Sequence, residues 1–278
     1  MSFLVLLLAV WIEKFSALRQ RVQRDGPWLQ QLARLESNPR SASRPWWILT
    51  LTVLLPLLVL ALVLVIVGSV AYGWLALPIH LLVLIYSLGR GDIKANLGSF
   101  RDACRRGDQE AAVLVAERDL GVQAENEEQL LGGAQTYLLW QVYQGFFAVI
   151  FWYFVLGPVA ALAYRLLALA SEHGRTPALV ERATQLRHAF DWVPVRLLAA
   201  SFALVGNFVA VSRVMLSELL NWNITASGLI TKVGCVAGEV PAPVVGVEGV
   251  NSLDVLWELL IRAAIVWYVG FALFTLFV

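Results

Sequence analysis

Charge is scarce in this chain. Asp, Glu, Lys and Arg make up 15% of its 278 residues, against roughly one quarter in a soluble globular domain. Hydrophobic residues make up 59%, and the mean hydropathy is +0.71. Such a composition implies an integral membrane protein, because each crossing of the bilayer consumes roughly 20 apolar residues. The net charge is only +1, so no basic field draws in nucleic acid, and none is expected as a partner. Cysteine is nearly absent. Cys104 and Cys235 stand far apart, with neither the paired spacing of a zinc site nor the density of a disulfide scaffold. The histidines His80, His173 and His188 are scattered without metal-ligand spacing, and no metal or cofactor is expected. A Gly-x-x-x-x-Gly-Lys-Ser/Thr phosphate loop is missing; GRGDIK at 89–94 is a loose glycine-lysine loop. No Ser or Cys nucleophile is paired with a base along the sequence.

What is present is a series of apolar runs. MSFLVLLLAVWIEKF at 1–15 has no basic residues before its apolar part and no small-residue cleavage site, so it is expected to stay as an interfacial helix. Residues 13–45 carry Lys14, Arg19, Arg21, Arg24, Arg34, Arg40 and Arg44 against Glu13, Asp25 and Glu36, which places 13–45 in the cytoplasm, so that 1–45 reads as an interfacial helix and a basic cytosolic segment. Residues 46–68 form an uncharged span with a Trp pair at its start, and 71–88 returns from it, so that 46–88 reads as a transmembrane hairpin. Residues 89–145 read as a small cytosolic helical subdomain. Its helices are 92–106 and 108–119, with Asp108 as N-cap, and a third starts at Glu125, Glu127 and Glu128 and runs into the membrane. A polar-cluster membrane region, 146–220, holds spans at 146–170, broken at Gly157-Pro158, and at 193–212. A Gly-, Val- and Pro-rich loop occupies 221–255, and 256–278 is a C-terminal transmembrane helix. The expected fold is therefore an all-α integral membrane protein with one membrane domain over 1–278. It has four to five transmembrane helices, a small helical cytosolic subdomain and an N-terminal interfacial helix. Simple alternation puts 171–191 outside, unless 146–170, broken at Gly157-Pro158, or 193–212 dips without crossing; the side of 171–191 stays open.

The stretch RHAFDWVPVRLLAA at 187–200 gathers charge at the mouth of an apolar run. Asp191 precedes Trp192-Val193-Pro194, which suits a helix start with Pro in its first turn. Arg196 lies inside the run, where an unpaired guanidinium is costly, and Asp191 is its natural partner. With Arg187 and His188, two readings stand: a structural ion pair, or a pocket for an anionic headgroup, phosphate or sugar lactyl group. Arg165 in the 146–170 span either snorkels or is buried for function. His80 reads as a packed, hydrogen-bonded residue.

The run FDWVPVRL and the order of segments around it resemble the AmpE family, inner-membrane proteins linked to β-lactamase induction in Gram-negative bacteria. More distantly, the chain is similar to the cobinamide-phosphate synthase family. That likeness rests on Arg106-Gly107-Asp108 with Arg118-Asp119, on Ala161-Leu162-Ala163-Tyr164-Arg165, and on Pro194-Val195-Arg196-Leu197. Where those synthases carry Asn-Thr-x-Asp-Ser, this chain has Leu166-Leu167-Ala168-Leu169-Ala170, so the shared scaffold implies fold more than chemistry. The resemblances imply a signalling modulator in the bacterial inner membrane, tied to cell-wall recycling. Membrane lipid, a cytosolic cell-wall recycling amidase or a muropeptide-like ligand are the implied partners. Arg118, Asp119, Arg165, Arg187, His188, Asp191 and Arg196 form the candidate ligand-binding set. The alternative is a membrane ligase or transferase acting on another carboxylate. A transporter ranks last, for want of repeated halves.

Overall fold

The computed structural model describes residues 22–38, 43–68, 76–89, 92–240 and 247–277. The expected interfacial helix at the N-terminus and the turn after Gly68 lie outside the described residues. In chain order the helices are α1 (Gly26–Ser37), α2 (Pro45–Gly68), α3 (Ala76–Ser87), α4 (Ile93–Arg105), α5 (109–120), α6 (Glu127–Leu156), α7 (Pro158–His173), α8 (Pro177–Val205), α9 (Phe208–Glu218), α10 (Ala226–Ala237) and α11 (Val247–Phe277). No strand occurs among the described residues. Four helices are long and apolar enough to cross a membrane: Pro45–Gly68, Glu127–Leu156, Pro177–Val205 and Glu248–Phe277. The all-α membrane fold and the number of spans are thus as expected, but the spans are not all where the apolar runs lie. The chain forms two compact units, Met1–Leu88 with Ala148–Asp191, and Gly89–Phe147 with Trp192–Val278.

In the first unit, Trp28 and Leu32 of α1, Ile48, Leu49 and Val53 of α2, Leu166, Leu167, Leu169 and Ala170 of α7, and Leu179 and Ala183 of α8 form one apolar core. Pro56 has no N–H to give the carbonyl of Thr52 one turn back. The indole of Trp28 donates to that carbonyl at 2.9 Å, and the helix relaxes into a π turn over Thr50–Leu54, a usual accommodation within a span. Beyond it, Leu55–Gly68 buries no residue, and Leu58, Leu62, Val65 and Ile66 are exposed. A helix apolar all round is stable only against lipid or a partner.

Four segments differ from the sequence expectation, 221–255 of the second unit among them. The described part of the second run, α3, has 12 residues, about 18 Å of helix, which is shorter than a span. The 146–170 run is two helices: Gly157 takes φ +78°, a left-handed conformation that glycine reaches without strain, Pro158 opens α7, and α7 packs back against Ala148–Leu156. The 193–212 run is also divided. Its helix starts at Pro177, a full polar stretch earlier, so Asp191 and Pro194 lie inside α8 and the helix-start reading of Asp191 does not hold. The backbone N–H groups of Arg175 and Thr176 both donate to Glu36 Oε1 at 2.8 Å just before α8 begins.

In the second unit, Asp92 caps α4 by accepting from Lys94 and Ala95, and Asp108, the expected N-cap, caps α5 by accepting from Ala111. Asn126 caps α6 in the same way. Gly145 on α6 meets Gly89 so closely that a Cβ at Gly89 would lie 2.7 Å from the Gly145 Cα, and the Gly89 N–H donates to the Gly145 carbonyl at 2.7 Å. The described part of the 221–255 stretch, expected as a loop, is largely helical. It contains α10, whose Gly234 lets the helix approach Leu139 of α6, and it ends inside α11. Gln135 of α6 donates to Ser252 of α11 at 2.9 Å, and Arg101 of α4 pairs with Asp254.

Candidate functional site

The short turn at 174–176 folds α8 back along α7, and this fixes the site. Successive residues of a helix point about 100° apart, so Tyr164 and Arg165 serve two different carboxylates. Tyr164 donates from its hydroxyl to Asp191 Oδ1 at 2.9 Å. Arg165 pairs with Asp25 Oδ2 at 3.3 Å, and the hydroxyl of Tyr86 donates to the other oxygen of Asp25 at 3.1 Å. Asp25 stands immediately before α1 without capping it; its carboxylate is used across the unit instead. Arg165 therefore neither snorkels nor stands alone: its side chain and that of Asp25 are each only 12% exposed.

Asp191 is the deeper of the two centres, at 2% exposure, with Tyr164 at 1% and Arg187 at 7%. Arg187, one turn before Asp191 on α8, holds its Nε 3.8 Å from Asp191 Oδ2. Its Nη1 donates to Ser171 Oγ and to Glu172 Oε1, both at 3.0 Å, at the last turn of α7. The guanidinium also lies 6.0 Å from the Tyr164 ring. One cation is thus shared between a carboxylate that is almost fully buried and another, Glu172, whose side chain is 35% exposed. Arg187 thus has a buried inner partner and a partly exposed outer one. His188 is half-buried beside Arg187 on α8. His80, in the same unit, holds Tyr153 at 3.1 Å from Nδ1 to the hydroxyl, in keeping with a packed, hydrogen-bonded histidine.

The remaining expected residues are engaged in the other unit. Arg118 and Asp119 grip each other through two bonds, Nε to Oδ1 at 2.7 Å and Nη2 to Oδ2 at 2.8 Å, on an exposed face. The hydrogen bond from Arg118 holds the Asp119 carboxyl below its usual range and raises the guanidinium in turn. Arg196 does not take Asp191 as its partner. It donates to the carbonyls of Leu219, Glu218 and Asn221 and, at 2.9 Å, to that of Trp192, and it stacks 4.2 Å over the Trp192 ring. These are the carbonyls left open where α9 ends, so Arg196 is the cap of that helix, charge-matched to the negative end of its dipole.

Sequence reasoning missed Ser171, Glu172, Tyr86 and Asp25 as partners. They lie 15 or more residues from the groups they serve, on other elements, and only the charge of Asp25 beside Gly26-Pro27 gave any signal. Among the described residues no three His, Cys, Asp or Glu side chains converge as metal ligands would. The Asp191 centre offers a guanidinium, two hydroxyls and two carboxylates, a set suited to binding and to holding two helices in register.

Comparison with known proteins bears on what such a centre is for. A family model described as "Regulatory signalling modulator protein AmpE" matches residues 1–233. The curated protein named "Protein AmpE" from Shigella flexneri is 30% identical over 143 residues, 47% of this chain and 50% of that protein, so the match spans about half the length of that relative. No solved structure matches. With most of its length matched by one family model and its helices fit to cross a membrane, the chain belongs to the AmpE family of regulatory signalling modulators.

Proposed function

We propose that this protein modulates β-lactamase induction from the bacterial inner membrane, and that the α7–α8 centre around Arg187 is where it reads the state of cell-wall recycling. The observation that carries this reading is the unequal pair of carboxylates on Arg187: Asp191 is sealed in, Glu172 is open to replacement. An anionic ligand of the muropeptide class, or an acidic segment of a cytosolic partner such as a recycling amidase, displaces Glu172 and takes Arg187 Nη1 together with the Ser171 hydroxyl. Charge-assisted bonds of this kind are strong and directional. Release of Glu172 at the last turn of α7 then loosens the tie between α7 and α8, a packing change that a partner can sense.

The test is β-lactamase activity, with and without inducer, in a strain lacking the protein and carrying back the wild type, Asp191→Ala or Glu172→Gln. Glu172→Gln removes the competing charge and leaves the inner pair intact, so it is expected to shift the induced level while the protein inserts in normal amount. Asp191→Ala is expected to behave as the deletion. An induced level that is the same in deletion and wild type sinks the regulatory reading. A normal response from Glu172→Gln with an altered one from the deletion moves the site away from Arg187.

A further inference from the structure

A second polar site lies within the unit of Gly89–Phe147 and Trp192–Val278. The Trp267 indole donates to Ser201 Oγ at 2.7 Å, while Val205, Gly206 and Asn207 line a groove with Glu258, Leu259 and Arg262. As the number rises along α8 it falls along α11, so the two helices run antiparallel here. Arg262 is the last charged residue of the chain, and no charge occurs between Arg196 and Arg213. On α11 the groove therefore sits where the uncharged stretch begins, and on α8 it sits at the end of the helix, a placement that suits the level of lipid headgroups. Leu204, Phe208, Ile261 and Ile265, on the helices that border it, are all exposed, an apolar surface fit for acyl chains.

The groove has a volume of about 400 Å³, and its polar lining is Asn207, Glu239, Glu258 and Arg262. Asn207 Nδ2 donates to Glu239 Oε1 at 2.7 Å, and Arg262 Nη2 to Glu258 Oε2 at 3.1 Å. Both pairs are solvent-facing, where such contacts are weak and readily exchanged. Glu239 takes φ +49° just past the end of α10, a left-handed position where glycine or asparagine is at ease and glutamate is strained. The chain thus carries a carboxylate at the groove in a conformation that glutamate does not favour.

Two carboxylates against one guanidinium leave an excess negative charge, which repels a purely anionic headgroup and suits a zwitterion. We propose that this groove binds the headgroup of a primary-amine phospholipid. The ammonium lies between Glu239 and Glu258, and the phosphate meets Arg262 and the Asn207 amide. The carboxylates want N–H donors, so a quaternary ammonium, which has none, fits poorly.

The full-length protein in detergent is equilibrated with mixed vesicles of equal phosphatidylethanolamine, phosphatidylglycerol and phosphatidylcholine, and bound lipid is read by native mass spectrometry. Phosphatidylethanolamine is expected to be retained over each of the others by about fivefold, the scale of one exposed charge contact. Glu239→Gln with Glu258→Gln removes that preference while the unfolding temperature stays near the wild type; if the double variant unfolds, Glu258→Gln alone serves. Soluble glycerophosphoethanolamine added as competitor tells the sources apart: weak competition assigns the site to lipid, and full competition supports the same headgroup chemistry in a soluble compound. Equal retention of the three lipids by the wild type, or an undiminished preference in a folded variant, overturns the proposal.

Discussion

Asp191 accepts the Tyr164 hydroxyl and faces Arg187 in a nearly water-free setting, so the two ways of altering it separate charge from shape. Asp191→Ala leaves a buried cation short of a counter-charge and a buried hydroxyl short of its acceptor, and it is expected to cost about 3 kcal/mol. Asp191→Asn keeps an acceptor for Tyr164 and is expected to cost roughly half as much. The unfolding temperature in detergent ranks the two variants, and equal losses would mean that the lost carboxylate charge accounts for the whole effect and the acceptor kept for Tyr164 for none of it. Cys104 gives a second expectation at this scale. It is 1% exposed on α4, and burial pushes its thiol up to about 11. With Cys235 replaced by serine, Cys104 is expected to resist maleimide at pH 7.5 and to react once the protein is unfolded, since the thiolate is the nucleophile. Fast labelling of the folded protein would show that α4 opens. Arg187 and Asp191 were legible in the sequence because ionised groups beside an apolar run must find partners. Ser171, Glu172 and Tyr164 were not, because they reach Arg187 and Asp191 only after the chain turns back at 174–176.

Helices were legible where local chemistry marks their ends and illegible where tertiary packing decides. Asp92 and Asp108 cap α4 and α5 through their own side chains, a signal that lies within four residues of sequence. The start of α8 has no such mark: its first turns are polar, and an apolar-run reading begins the helix sixteen residues late, at 193 instead of Pro177. The Gly and Val content of α10 hid a helix whose small residues serve its approach to α6. Arg196 shows the same limit from the other direction. Its cost in an apolar run was evident, but its partners are backbone carbonyls at the end of α9, and carbonyls have no sequence signature. Arg196→Lys retains the charge and loses the planar fork and the stacking on Trp192, with an expected loss of about 2 kcal/mol. Arg213→Ala is expected to change stability little by comparison. Thermal unfolding of the two variants side by side is the measurement, and a lysine that fully replaces Arg196 would refute the capping role.

The composition of the whole molecule pointed to the membrane, but counting crossings leaves the side of one segment open. Alternation of apolar runs puts 13–45 and 171–191 on opposite faces. Within one compact unit, however, Glu36 accepts from the backbone of both Arg175 and Thr176 at 2.8 Å, and Arg165 reaches Asp25, so the start of α8 and the segment before α2 share a face. Alternation requires 146–170 to be one crossing; the alternative, a dip at Gly157-Pro158, fits α7 better, since its 16 residues, about 24 Å of helix, double back on the end of α6. Single cysteines at Ser37 and Arg175, both exposed, in a chain lacking Cys104 and Cys235, test this with a membrane-impermeant maleimide. Both positions are expected to label in inverted vesicles and to be protected in intact cells, because the cations of 13–45 favour the cytoplasm. Labelling of 175 alone in intact cells would break the Glu36 tie and return 171–191 to the outside. It would also carry the outer partner of Arg187, Glu172, away from any cytosolic protein or muropeptide, leaving the proposed reading of recycling without access to its ligand.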